Sequence, residues 1–588
     1  MQQTTTTLTP LALKDAPALI ETVFPAQKVS LEAQSERKAG AAQTLTALGS
    51  YWKGRKPLIL VRSIVLGSLL PPTNDPEADL AIFEKLMAFD DEGLARRALV
   101  GNSVSPAEIA ARIQLDNPWD YFKATLRRSD VTGGDVRWMS FPLDADAEGI
   151  SLRWQRSLSD DDKLVIYRKL MATYSSYEEK ASLGKRPEEL NQEWLYAPVW
   201  VEVNRHYAHL GVNVNSIAEL VEQLGILRYG HRPRVGDTFS GGGSIPFEAA
   251  RIGCDAYASD LNPIACMLTW GAFNVIGASP QRRVEIEGSQ HSVAAMVDEE
   301  ITSLGIEHDE NGNRAKAYLY CLEARCPETG WMIPLLPTLI LSVKYKTIVK
   351  LVPDHKTKSF HFQVTRDASE SEMKVAAKGT VAAGDMTYEL DGKSYRTSIK
   401  TLRGDYRKED GTTGNRLRRW EKSDFKPRPD DIYQERLYAI QWIAKDTLHA
   451  GRQDTWFAAP TAADLEREQR VEHIVRENLS RWQDEGLVPD MAIEPGYNTE
   501  QPIRERGWTH WHHLFNARAL LLQALKAGAD KGCVQYLRLA RDADRLSRLC
   551  RFNFNPQPSQ GPKIEQVFSD QALNPLFNYG TYSSIGLE

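Results

Sequence analysis

Apolar residues recur at three- and four-residue spacing through the first part of the chain, for example over 78–87 and 94–100, which predicts amphipathic helices, and Ser105-Pro106 supplies the opening of another. Residues 11–193 are therefore expected to form a mainly helical N-terminal region. Helices continue from 194 toward the middle of the chain, where Ser216 and Glu219 have the spacing of a reciprocal capping box. From about 315 to 424 the pattern changes. TLILSVKYKTIVKLVP, SFHFQVTRD and MTYELDGKSYRTSI alternate or run apolar between polar turns, so a β-rich module is expected within 291–430. Helical spacing is expected to dominate 432–531, with long amphipathic segments over 462–485 and 516–527, the second capped by Asn516. These form a helical region assigned to 431–588.

Between the helical and β-rich regimes lies VGDTFSGGGSIPFEAARIGCDAYASDLNPIACMLTW, residues 235–270. A short strand is expected to end at Asp237, followed by a glycine turn through Gly243. A helix then runs from about Ser244 or Pro246 to Arg251, and a second strand over 255–259 delivers Asp260. This is a β-α-β unit whose loop faces one strand edge. An acidic residue about twenty positions after the turn suits the two hydroxyls of a ribose. A dinucleotide fingerprint asks for glycine where Pro246 stands, which disfavours a pyrophosphate ligand. Asp237, Phe239, Gly241, Gly243 and Asp260 are the candidate cofactor-binding residues. Asn262 is a sixth, either reaching an adenine or capping the helix that begins at Pro263.

The D-x-F-x-G-x-G pattern of Asp237, Phe239, Gly241 and Gly243 resembles motif I of S-adenosylmethionine-dependent methyltransferases. The longer run 219–270 resembles the core of a bacterial and archaeal family of adenine-specific DNA methylases with a zinc-ribbon insert. FPAQKVSLEAQSERK, SYWKGRKPL, FKPRPDDIYQERLYAIQW and WTHWHHLFNARALLL extend the similarity along the chain. The resemblance implies an α/β fold: a Rossmann-like S-adenosylmethionine-dependent methyltransferase core at 194–290, with the helical N-terminal region and β-rich insert around it. The implied activity is N6 methylation of adenine in DNA, in a restriction or phage-defence setting, with the target base flipped out of the duplex. The family's D-P-P-Y tetrapeptide occurs nowhere in these residues, nor does N-P-P-Y or S-P-P-Y. The expected role is therefore the cofactor-binding and target-recognition portion, with a second polypeptide carrying the catalytic motif; the alternative is an inactive DNA-binding or regulatory relative. The closing FNYGTYSSIGLE reads as cut across a domain. Asn117-Pro118-Trp119-Asp120 has a tryptophan in the second proline position and is not expected to be catalytic.

Cys321 and Cys326 resemble one loosened knuckle of the family's zinc ribbon, and the stretch 384–392, at the place of the second knuckle, has no cysteine. Four closely placed ligands are needed for structural zinc, so no metal is expected and the hairpins are expected to hold by packing alone. His206 with His209, and His510 with His512, have tempting spacings but no third ligand in view, and packing or surface roles are expected for them.

The formal charge is −6, from 72 Lys or Arg and 78 Asp or Glu, so nucleic-acid binding must come from local surfaces. Residues 393–428 carry twelve Lys or Arg against five acids, interleaved with Tyr395, Tyr406, Trp420 and Phe425. Arg403, Arg407, Arg416, Arg418 and Arg419 are the candidate DNA contacts. Lys53, Arg55 and Lys56, beside Tyr51 and Trp52, are a second possibility for phosphate or cofactor. Six scattered cysteines fit a reducing cytoplasm. The first ten residues read as a disordered tail, and Arg62, Pro334 and Pro337 interrupt the longest apolar runs, so no membrane span is expected.

Overall fold

The computed structural model describes residues 7–38, 45, 54–126, 150–497, 499–529, 532–556, 561–567 and 578–587. Tyr51, Trp52 and Lys53, and the first six residues of the expected tail, lie outside this set. The chain divides into two compact units, Met1–Pro280 and Gln281–Glu588. Among the described residues no helix is long and apolar enough to cross a membrane.

The first unit has two cores. One gathers helices α1 (Ala26–Lys38), α2 (Leu58–Leu69) and α3 (Pro76–Leu86) with later helical residues such as Leu220 and Leu224. The other gathers α4 (Asp91–Gly101), α5 (Pro106–Arg112), the hairpin β1–β2 (Phe122–Leu126 and Ile150–Trp154) and α6 (Asp160–Met171). Helix starts follow the expected chemistry: Asp75, Asp90 and Ser105 each accept a hydrogen bond from a first-turn N–H. The box expected at α7 (Ile217–Tyr229) is only half made. Ser216 Oγ accepts the Glu219 N–H at 3.2 Å, but the Glu219 carboxylate takes the N–H of Asn215, at 2.7 Å. After α7 come β3 (Arg234–Asp237), α8 (Ser244–Arg251), β4 (Asp255–Ala258) and α9 (Pro263–Gly271), so the β-α-β unit falls within a residue of its expected bounds. β3 and β4 pair in parallel, and their sheet contains these two strands alone among the described residues.

The second unit opens with α10 (Pro280–Leu304), which spans the expected 290/291 boundary. Next come β5 (Arg314–Arg325), β6 (Met332–Leu335), β7 (Ile340–Ser342), β8 (Thr347–Asp354), β9 (Ser359–Thr365), β10 (Asp385–Leu390) and β11 (Lys393–Ser398). β7, β8 and β9 form one antiparallel sheet, and β10 pairs with β11 as a hairpin. The stretch after 432 is not uniformly helical: Tyr433–Ile443 is a strand, β12, and Thr455–Ala458 another, β13. The main sheet has the order β13-β12-β5-β14, where β14 is Tyr579–Tyr582, and β6 also pairs with β5. Residues on both sides of position 430 thus share one sheet. The register places Leu437 opposite Tyr320 and Ile440 opposite Tyr318, long-range partners that local spacing does not reveal. Helices α11 (Ala462–Asp484) and α12 (Ala517–Ala529) pack with α10 around Trp508, and the buried Asn516 caps α12 by accepting the Ala519 N–H at 3.0 Å.

Hydrogen bonds, in addition to packing, join the two hairpins of the β-rich module. Gly330 N–H donates to the Cys326 carbonyl at 2.8 Å, closing the knuckle, and the Thr329 hydroxyl lies 2.6 Å from the Tyr388 hydroxyl on β10. Burial pushes the Cys326 thiol up, but hydrogen bonds from Tyr388 and Thr329 outweigh it and hold it below the usual thiol range. Cys321 sits in a separate core with Leu336 and Val349.

Candidate functional site

The glycine turn between β3 and α8 is pinned at both ends. Ser259 N–H donates to the Asp237 carbonyl at 2.9 Å and Ser240 N–H donates to the Ser259 carbonyl at 3.1 Å, extending the parallel ladder past β4. Asp237 Oδ1 accepts the Phe239 N–H at 3.1 Å, which turns the chain immediately after the strand. Gly241 and Gly243 have φ of 52° and 74°, in the left-handed region open to glycine. A Cβ on Gly243 would stand 2.9 Å from both Cα and Oγ1 of Thr269 on α9, so this glycine also permits a close backbone approach.

Asp260 closes the arrangement. Its Oδ2 accepts the Gly241 N–H and its Oδ1 the Asn262 N–H, each at 2.9 Å, and these two backbone bonds hold the carboxyl below its usual range. The carboxylate therefore faces the glycine turn. Asn262 acts as the helix cap, its Oδ1 accepting the Ile264 N–H at 2.9 Å. Ser244 Oγ, at the first residue of α8, is buried and has no hydrogen-bond partner among the described residues. Phe239 and Leu261 project on the same loops with 79% and 95% of their surfaces exposed. Residues Asp237, Phe239, Gly241, Gly243, Asp260 and Asn262 thus occupy one pair of adjoining loops. Ser244, which sequence reasoning treated only as a helix start, joins them.

α8 is braced from beneath by residues that the sequence did not single out. Arg62 of α2, which in the sequence only interrupts an apolar run, is 1% exposed and bonds Glu248 Oε1 at 2.8 Å. The same guanidinium donates to the Tyr196 hydroxyl at 2.6 Å and to Gln192 Oε1 at 3.0 Å. Leu58 and Phe247 pack together beside it. The start of α2 is capped from α1, where the buried Glu36 carboxylate accepts the N–H groups of Leu58 and Ile59 at 2.9 and 3.3 Å.

The candidate DNA-contact arginines divide by environment. Arg403 makes a two-point pair with Asp405, at 3.0 and 2.7 Å. Arg418 bridges Asp424 and Asp431, at 2.5 and 2.7 Å. Arg419 donates to the Ile503 carbonyl but remains exposed, as do Arg407 and Arg416. Arg55 and Lys56 of the other basic segment are half-buried and exposed, respectively.

The histidines hydrogen-bond within the fold. His206 Nε2 lies 2.8 Å from Asp79 Oδ1. His512 and His513 are fully buried, with their Nε2 atoms 3.2 Å from the Asp424 carbonyl and 2.9 Å from the Glu421 carbonyl. Among the described residues no group of three His, Cys, Asp or Glu side chains is placed to hold a metal. Asn117 donates to Asp120 at 2.7 Å and starts a short 3-10 turn at Pro118.

Comparison with known families matches residues 23–86 to DUF1156, described as a protein of unknown function. The matched segment contains α1, α2 and α3, and so includes Glu36 and Arg62, the residues that cap α2 and brace α8. No curated protein and no solved structure matched the chain.

Proposed function

We propose that the glycine turn and Asp260 bind S-adenosylmethionine, and that the chain is the cofactor-binding and target-recognition portion of a cytoplasmic DNA adenine N6-methyltransferase that works with a second polypeptide. The observation carrying this reading is that the Asp260 carboxylate is bonded to the glycine turn, and that Ser244, next along the chain from Gly243, keeps a buried hydroxyl without a partner among the described residues. Each Asp260 oxygen uses one acceptor site on a backbone N–H and keeps capacity for a ribose hydroxyl. Glycine at 241 and 243 lets the methionine portion lie against the backbone, and Phe239 offers a flanking apolar surface. When bound, the cofactor supplies an electrophilic methyl group; this chain positions it. The sheet supports a second polypeptide. Val235 and Ala256 pack on the first core, while the opposite face carries Tyr257, 60% exposed, and Gly236, over which no described residue lies within 4 Å of an added Cβ. Parallel strands are normally covered on both faces.

The test is isothermal titration calorimetry of the folded chain with S-adenosylmethionine and S-adenosylhomocysteine. Binding is expected, weakened at least about tenfold by Asp260→Ala, which removes hydrogen bonds to a charged group, and weakened less by Ser244→Ala. No heat of binding with the folded wild-type chain would overturn the assignment. Binding of the cofactor with no transfer to adenine, even with the second chain supplied, would favour the regulatory reading.

A further inference from the structure

The second unit contains a cleft of about 650 Å³ between the β7–β8 turn, the end of β9 and the edge strand β13. Three cations line it, Lys344, Lys346 and Arg366, all exposed. None of the three has a carboxylate within ion-pair distance among the described residues, although Asp367 also lines the cleft without forming such a pair. Two aromatic rings stand beside them. Tyr345 is 50% exposed, with the Lys344 ammonium 5.5 Å from its centroid, and the Arg366 guanidinium lies 5.9 Å from the Trp456 ring. Gln441 also lines the cleft, 9% exposed.

Lys346 and Asp367 have φ of 42° and 51°, in the left-handed region, which aspartate tolerates and lysine enters at a cost. The Ala368 N–H donates to the Lys346 carbonyl at 2.9 Å, so the two turns are fastened together and present their cations side by side. Unpaired cations suit a phosphodiester backbone, and the exposed Tyr345 ring beside the half-buried Trp456 suits an unstacked base.

We propose that this cleft binds single-stranded nucleic acid, phosphates on Lys344, Lys346 and Arg366, and a base against Tyr345 and Trp456. The assignment is independent of the methyl-donor reading, since it involves neither the glycine turn nor Asp260, and the two are tested with different ligands. The experiment is fluorescence anisotropy of the full chain with labelled twelve-nucleotide single strands of DNA and RNA, and with a DNA duplex of the same sequence. Single strands are expected to bind more tightly than the duplex, with affinity falling as salt rises. The triple variant Lys344→Ala, Lys346→Ala, Arg366→Ala should lose at least about tenfold in affinity, and the slope of log affinity against log salt should shallow by about 2, since each phosphate contact on a single strand contributes about 0.7. Tyr345→Ala, at an exposed turn position, should lose about fivefold or more without changing that slope. A preference for DNA or for RNA identifies the source of the strand, and either agrees with the proposal. Unaltered affinity in both variants, loss confined instead to an Arg407→Ala, Arg416→Ala, Arg419→Ala variant, equal affinity for the duplex, or no binding at all would overturn it.

Discussion

Two basic surfaces of the second unit differ in what their charges do. In the sequence 393–428 is the denser of the two, yet the fold commits much of that charge internally: Arg403 to Asp405, Arg418 to Asp424 and Asp431, Arg428 to Asp424 and Glu421, Arg396 to Asp385. The stretch 344–366 looks unremarkable in a charge count, yet Lys344, Lys346 and Arg366 stand unpaired around one cleft. A charge already satisfied by a fixed carboxylate has little left for a phosphate, because breaking the pair costs about what the new contact returns. Local charge density and pairing state therefore point to different surfaces, and binding measurements on the two sets of variants decide between them.

The largest effect that could break this comparison is on stability. Arg418→Ala is expected to cost about 2–3 kcal/mol, because it strips Asp431 of its ion-pair partner and leaves the largely buried Asp424 with Arg428 alone. The triple alanine variant of Lys344, Lys346 and Arg366 should stay within about 0.5 kcal/mol of wild type, as expected of exposed charges without partners. Urea unfolding followed by tryptophan fluorescence reads both. A stable Arg418→Ala protein, or an unstable cleft variant, would erase the distinction.

A smaller effect sharpens it through pH. The 421–424 loop that holds Asp424 is also gripped from its backbone by His512 and His513. The N–H groups of Thr509 and His510 donate to His513 Nδ1 at 3.1 and 3.2 Å, so its Nε2 carries the proton given to Glu421. Burial, foremost, with the neighbouring histidines, pushes His512 down to about 4 and His513 to about 2. The unfolded chain binds protons at these side chains that the folded chain refuses, so stability is full above about pH 6.5 and is lost as pH falls below it. Urea midpoints measured from pH 7.5 down to 5 should decline, and His513→Gln should flatten the decline. A midpoint independent of pH over that range would show that these rings do not stay neutral in the fold.

Much of the fold was legible in local pattern. The β-α-β unit, the caps at Ser105, Asn262 and Asn516 and the hairpins of the β-rich module all rest on short-range rules of periodicity and capping. What escaped was long-range. β12 reads YQERLYAIQWI, and its polar positions masked its strand character until β5, more than a hundred residues earlier in the chain, supplied the ladder partner. The candidate loop residues were named because glycines and an acid at set spacing leave a sequence signal. Ser244 was missed because a serine at a helix start is ordinarily a cap, and only three dimensions reveal its hydroxyl as unpartnered. Arg62 was missed because its partner Glu248 is remote in sequence. The cleft was missed because its three cations come from two turns separated by the hairpin β8–β9.

The smallest predicted effect concerns a carboxylate whose sign is opposite to that of Asp424. Asp424 is held below its usual range despite burial, by Arg418, the Glu421 N–H and Arg428, so its contribution is present at neutral pH and lost on acidification. Glu36 is pushed up to about 7, chiefly by burial and then by Glu188, against the Leu58 and Ile59 N–H groups and Arg186. The folded chain there holds a proton that the unfolded chain has already released, so stability declines as pH rises from about 4.5 through 7. Glu36→Gln removes the titration and keeps an acceptor for the start of α2. It should raise the melting temperature at pH 8 by roughly 2–4 °C, the shift about 1 kcal/mol makes in a unit of this size, and leave it nearly unchanged at pH 5.5. A lower melting temperature at both pH values would mean that the negative charge at the helix start outweighs its burial. Because α2 carries Arg62 against Glu248 on α8, the same variant also reports, through calorimetry with S-adenosylmethionine, whether a change at the start of α2 reaches the glycine turn.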